Sequence, residues 1–211
     1  MATDDLTRIE SAEDAVGVAI TWAHEHDLAS RDFREFAGEW FASTPPDRRV
    51  RINIRATLKS FTSVCKHYET EWGRNADLLA DLTSHWNLET VKHLAVFNVA
   101  GLAGAAALLT NAEYANQIAT KLALPFFAGG LICALFTLWT NMRGYALAYQ
   151  HADKQRRAAA SAHAWKDVDL FLKRYEGKFK SEDWFHIAEL TGWSSAASGI
   201  AGVMGLAVSL L

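Results

Sequence analysis

Very little in this chain of 211 residues can cross-link it or hold a metal. Its two cysteines, Cys65 and Cys133, fall in unrelated segments and match no zinc-ligand spacing, so both read as reduced thiols and a disulfide framework is excluded. Net charge is also small. A formal charge of -3 and a pI near 6.2 argue against a general nucleic-acid binder, which needs a basic domain. The start, MATDDLTRIESAED, is acidic and has no apolar stretch of the kind a signal or transit peptide carries, which leaves membrane insertion to internal segments. Catalytic motifs are missing as well: there is no GxSxG elbow, no GxxxxGKS/T phosphate loop, no GxGxxG after a strand and no HExxH. The expectation is therefore a non-enzymatic protein without cofactor or metal.

The longest absence is of charge. Two apolar runs, Leu94 to Thr110 and Leu122 to Thr140, contain no acidic or basic residue and are joined by the short polar link NAEYANQIATK. Each approaches the roughly 20 apolar residues that cross a bilayer, so they read as a transmembrane helical hairpin rather than as two core helices of a soluble all-α domain. A third uncharged run, Ser194 to Leu211, is rich in Ser, Ala and Gly and only just long enough to span. The expected fold is all-α: an integral membrane helical bundle, made of the hairpin and a third C-terminal span, with an N-terminal cytosolic helical unit. The expected division is a cytosolic helical domain over 1–86, the hairpin over 87–143, a cytosolic helical stalk and connector over 144–192, and the third transmembrane helix over 193–211.

In the polar parts, Ser11 is a candidate N-cap, with Glu13 and Asp14 in the first turn where the helix dipole favours them. Ser30 is a second candidate cap, ahead of the stripe Phe33, Phe36, Ala37 and Trp40, which Pro45 and Pro46 terminate. Asp47 is expected to cap an amphipathic helix from Arg48 to Trp72, with Val50, Ile54, Leu58, Phe61, Val64 or Cys65, Tyr68 and Trp72 on one face and Gly73 as its stop. Asn75 would open a fourth helix and Asn87 would cap the first span. No breaker occurs between Arg143 and Gly177, so the second span should continue as a stalk, and Ser181 should cap the approach to the third span.

Lys and Arg concentrate in the two polar parts, while the hairpin link holds only Lys121. The charge rule then puts the chain in the inner (plasma) membrane of a bacterium with both polar parts and the N-terminus cytoplasmic. Trp139, Tyr145, Tyr149 and Trp193 would mark the inner interface, and Tyr114 the outer one.

Small residues recur four apart in the runs: Ala100 and Gly104, Gly101 and Ala105, Gly130 and Ala134, Ser195 and Gly199, Ser198 and Gly202, Ala201 and Gly205. Such pairs let backbones approach closely in lipid, either inside one chain or between copies. Asn98 and Asn141, near the inner ends of their spans, are expected to meet in a mutual hydrogen bond, or to line an ion path built from several copies. Arg48, Arg51, Arg55, Lys59 and Lys66 form a basic face. Plain solvation is the ordinary reading of such a face; it also suits lipid headgroups, at roughly 1 kcal/mol per residue, or an anionic ligand such as a nucleotide, or a partner protein. Asp77, Asp81, His85, Glu89 and His93 recur every four residues but drift by about 40° per step, so a solvated face is expected there rather than a cation site. His24, Glu25 and His26 are weaker still, because residues two apart do not share a helix face.

These features lead to the expectation of an oligomerising membrane protein whose cytosolic helices sense or bind a partner and whose spans respond, as a membrane-permeabilising effector would. The alternative is a membrane anchor or scaffold recruiting a soluble partner through its N-terminal helices. Expected partners are membrane lipids, further copies of the chain and an unidentified soluble protein, with no nucleic acid. A tight hairpin on cytosolic helices is similar in architecture to small bacterial membrane effectors, including two-span effectors of antiphage systems, a likeness that assigns no residue.

Overall fold

The structure, a computed structural model, describes residues 6–28, 31–84, 86–111, 113–114, 117–172 and 181–210. Among these it is all-helical: α1 Ala12–Glu25, α2 Arg34–Ser43, a 3-10 turn Pro46–Arg48, α3 Arg51–Ser84, α4 Trp86–Leu109, α5 Ile118–Ser161, α6 Trp165–Leu172 and α7 Ser181–Ser209. The described residues contain no strand; one isolated antiparallel bridge pairs Arg8 with Val50. The chain divides into two compact units, Met1–Ala76 with His151–Tyr175, and Asp77–Gln150 with Glu176–Leu211.

The first unit is a helical domain built on aromatic packing. Ser11 caps α1 through a complete capping box, its hydroxyl accepting from Asp14 N at 3.1 Å while Asp14 Oδ2 accepts from Ser11 N at 3.0 Å. Those hydrogen bonds hold the Asp14 carboxyl below its ordinary value. The stripe Phe33, Phe36, Ala37 and Trp40 is buried, and Trp22, Phe33, Phe36, Phe61 and Trp165 meet in edge-on or tilted pairs with centroids 5.1 to 6.4 Å apart. The proposed Ser30 cap lies outside the described residues; α2 starts at Arg34, whose N–H donates to Asp32 Oδ1 at 3.0 Å. Burial at Ile54, Leu58, Phe61 and Cys65 follows the expected inward face of α3, and pushes the Cys65 thiol pKa up.

Three boundaries differ from the sequence reading. α3 begins at Arg51 rather than Arg48, because the backbone at 49–51 is bound to residues 7–9: Ile9 N donates to Arg49 O at 2.8 Å and Arg51 N to Thr7 O at 3.0 Å. Gly73 does not stop α3 and Asn75 opens no new helix; α3 runs on to Ser84, with Ala76 buried beyond the glycine. A helical glycine costs about 1 kcal/mol relative to alanine, an amount that packing on both sides readily offsets. The stretch after Arg143 is not an unbroken stalk up to Gly177, a residue outside those described. α5 ends at Ser161, and Asp167 Oδ2 accepts from His163 N and Ala164 N, at 2.8 and 3.1 Å, to start α6. Ala159, Ala162, Val168 and Phe171 then enter the same core as α1, α2 and α3, with Trp72 Nε1 donating to Phe171 O at 3.3 Å.

The second unit gathers α4, the apolar part of α5, and α7. Among the described residues two helices are long and apolar enough to cross a membrane, the stretch Glu89–Leu109 of α4 and Ile118–Ser161 forming α5. α7 does not pass the same test. It nonetheless lies along both others. Phe185 sits on Gly144, Thr191 on Thr137, Ser195 on Gly130 and Gly205 beside Ala119, so α7 runs antiparallel to α5. Phe97 of α4 packs on Gly199, and Val91 shares a groove wall with Ala188, so α4 and α7 run the same way.

Candidate functional site in the apolar bundle

Polarity in the second unit is inverted. Asn98, Thr120, Thr140 and Ser195 are buried, whereas Val96, Ile132, Leu135, Ile200, Met204 and Val208 are exposed. The buried layer begins at Asn98, whose Nδ2 donates to Leu94 O at 2.8 Å and to Ser195 Oγ at 3.2 Å. Ser195 Oγ donates in turn to the Gly130 carbonyl at 2.7 Å. A Cβ on Gly130 would overlap Asn98 Oδ1, so the absence of a side chain at Gly130 is what admits the amide between the helices. Higher in the same bundle, the Thr137 and Thr191 hydroxyls bond at 2.8 Å, a second polar tie between α5 and α7.

Asn98 and Asn141 therefore do not pair. Asn98 stands level with Gly130, and Asn141 lies about three turns further along α5, where it lines a groove with Thr90, Val91, Leu94, Phe185 and Glu189. The groove encloses about 530 Å³ between α4, α5 and α7. Its wall near Gly144 is the Phe185 ring, which packs edge-on against Tyr145 at 4.8 Å. Ser195 cannot be read from the sequence as the partner of Asn98, because nothing in local spacing links residues on helices so far apart in the chain.

The small residues divide into two sets. Ala105, Gly130, Ala134, Ser195, Gly199 and Gly202 are buried within the chain, and Gly101 and Gly202 both face the fully buried Phe127 ring. Gly205 abuts the Ala119 carbonyl and Ser198 is half-buried. Ala100 and Gly104 are exposed, and a Cβ at Gly104 would meet nothing within 4 Å.

Of the basic residues, Arg51, Arg55, Lys59 and Lys66 lie by their spacing on one side of α3. Arg48 sits on the 3-10 turn, Arg55 bonds Glu25 at 3.2 Å, Lys66 bonds Glu69 at 3.3 Å, and Lys59 is exposed, while Arg51 lies in a cleft with Arg8. No group of three or more His, Cys, Asp or Glu able to hold a metal occurs among the described residues. In the acidic and imidazole row, His85 is outside the described residues and Glu89 pairs with Lys92 at 2.8 Å. His26 stacks on Trp22 at 4.3 Å and its Nδ1 lies 2.8 Å from the Trp22 carbonyl. Comparisons with protein-family models, with curated proteins and with solved structures find no match to this chain.

Proposed function

We propose that the chain is a non-enzymatic inner-membrane protein in which the three apolar helices occupy the bilayer and the first unit is a cytosolic receptor. The observation that carries this reading is the inverted polarity of the bundle: amide and hydroxyl groups inside, Ile132 at 67% and Met204 at 64% exposure outside. Water penalises such an outer face, whereas lipid is as apolar as these side chains and leaves packing and interhelical hydrogen bonds to hold helices together. α7 shows the same inversion along its length, which supports a third span although its hydropathy is diluted by Ser, Ala and Gly. In this reading the N-terminus is cytoplasmic, lipids are the first partners, and copies associate through outward small residues of α4 so that receptor occupancy changes the bundle and permeabilises the membrane.

A second reading is favoured by the filled interior. Phe127, Ala105 and Ala123 close the bundle core with no exposure, which suits a membrane anchor whose helical unit recruits a soluble partner. Expression of the full chain in bacteria, followed by alkaline carbonate extraction, tests the membrane reading; recovery of the protein in the soluble fraction would reject it. A single cysteine at Glu113 in a Cys65→Ala, Cys133→Ala background should react with an impermeant maleimide from outside. A potential-sensitive dye then separates the roles, because a permeabilising assembly depolarises cells once its ligand or partner is supplied and an anchor does not.

A further inference from the structure

The groove of about 530 Å³ in the second unit is apolar toward one end and polar toward the other. It begins beside the tie of Asn98, Ser195 and Gly130, where α4, α5 and α7 meet. From that level toward the start of α7, the small stripe Ala188, Gly192 and Ala196 runs between Val91 and Leu94 of α4 and Thr137 of α5. Thr90, Asn141 and Glu189 line it further along, with Glu189 about 9 Å of helix rise from Ser195. Glu189 is the one charged side chain among the described lining residues, and it is 67% exposed, so a ligand in the groove can reach its carboxylate. Phe185 stands one turn before it on α7, and its ring packs edge-on with Tyr145 at 4.8 Å. The neighbouring cations face other groups: Lys92 bonds Glu89 at 2.8 Å, and the Arg143 guanidinium lies 6.0 Å from the Trp139 ring. His186 Nδ1 is 4.0 Å from the Glu189 carboxylate, a contact between exposed side chains that holds the acid weakly.

We propose that the groove holds an acyl chain of a membrane lipid whose headgroup ends in an ammonium, as an ethanolamine lipid does. The chain lies along Gly192, Ala196 and Leu94 toward the Asn98 tie, and the ammonium meets the Glu189 carboxylate beside the Phe185 and Tyr145 rings. A carboxylate and aromatic faces both select a positive head, whereas an anionic headgroup would set its charge against Glu189. The groove's size falls within the roughly 300–1,000 Å³ of small-molecule sites, and its mostly apolar lining with a few polar groups is of the same kind. A lipid suits it better than a soluble amine because apolar and polar lining follow one another along the helix axis, the order in which a lipid carries its chain and head. The source of this ligand rests on the bilayer placement proposed above, while the binding assay needs no bilayer.

The test is fluorine NMR of the full chain, labelled with 5-fluorotryptophan and purified in a neutral maltoside detergent. Trp193 lines the groove, and its resonance is assigned by its loss in Trp193→Phe. The probes are dihexanoyl phosphatidylethanolamine and dihexanoyl phosphatidylglycerol, which share chains and phosphate and differ in the ammonium. A saturable shift of the Trp193 resonance is expected with the ethanolamine lipid, at a concentration about ten-fold or more below that needed for the glycerol lipid, the preference a charge-assisted bond confers. Glu189→Gln keeps the size of an exposed side chain and should erase the preference. Gly192→Leu places its Cβ in ordinary contact with Thr137, at 3.7 Å, fills the groove and should abolish the shift. No saturable shift in the wild type, equal response to the two lipids, or a preference that survives Glu189→Gln overturns the proposal. Carbonate extraction reads the membrane assignment separately, so failure of one result leaves the other standing.

Discussion

Asn98 Nδ2 lies 3.2 Å from Ser195 Oγ in a fully buried contact between α4 and α7, and the same hydroxyl reaches Gly130 of α5 at 2.7 Å. A single serine thus ties three helices at one level. Ser195→Ala is expected to destabilise the bundle by about 1 kcal/mol, as interhelical hydrogen bonds in lipid do, without changing its outer surface. The double-mutant cycle with Asn98→Ala should return a coupling of about 0.6 to 1.7 kcal/mol in detergent unfolding. Strict additivity of the two single effects would show that the bond contributes nothing.

The division of the small residues separates packing from self-association. Gly130→Leu should destabilise the monomer by about 1–3 kcal/mol or more, since its side chain must displace the Asn98 amide. Gly202→Leu is compromised in the same way, because that glycine faces Phe127. Gly104→Leu has open space and should leave unfolding unchanged while lowering the mass of the detergent-extracted particle. An unaltered mass would remove the α4 face from the assembly.

Phe171 is fully buried in the core shared by α1, α2, α3 and α6. Phe171→Ala should cost the first unit about 3–5 kcal/mol, read by chemical unfolding of the full chain with a Trp fluorescence signal. For the same reason a fragment limited to residues 1–86 should lack cooperative unfolding, because it omits Ala159, Ala162, Val168 and Phe171. A sharp transition in that fragment would contradict the shared core.

The Asp14 carboxyl, lowered chiefly by its hydrogen bonds with Ser11, gives a pH signature. A group whose pKa is depressed on folding contributes stability above its unfolded value and loses it as pH falls through the folded value. Wild type and Ser11→Ala should therefore differ most in thermal stability near neutrality, and the difference should narrow as pH falls below the unfolded Asp14 value of 3.8, leaving only the part due to the Ser11 hydroxyl accepting from Asp14 N. A constant difference down to lower pH would show that the carboxylate has no part in the cap.

The sequence is legible where the cause is local. The Ser11 cap, the buried stripe at Phe33, Phe36, Ala37 and Trp40, and the inward face at Ile54, Leu58 and Phe61 depend on neighbours within a turn or two. The structure departs from the sequence pattern where a distant segment decides. Arg49 and Arg51 are held by Thr7 and Ile9, which delays α3; packing beyond Gly73 carries the helix past a residue that often ends one; and Asn98 bonds Ser195 rather than Asn141, because the missing side chain at Gly130 sets the level at which the helices cross.

By itself the sequence determined that the described chain is helical, that two of its helices are apolar enough to cross a bilayer, and that Ser11 caps the first helix, because propensity, hydropathy and capping act over a few residues. The tertiary structure decided which polar groups meet. It paired Asn98 with Ser195, brought Phe171 to the N-terminal helices and set Arg8 beside Arg51, since each contact follows from how close two backbones approach, and that distance is a property of the packed helices and not of any one of them.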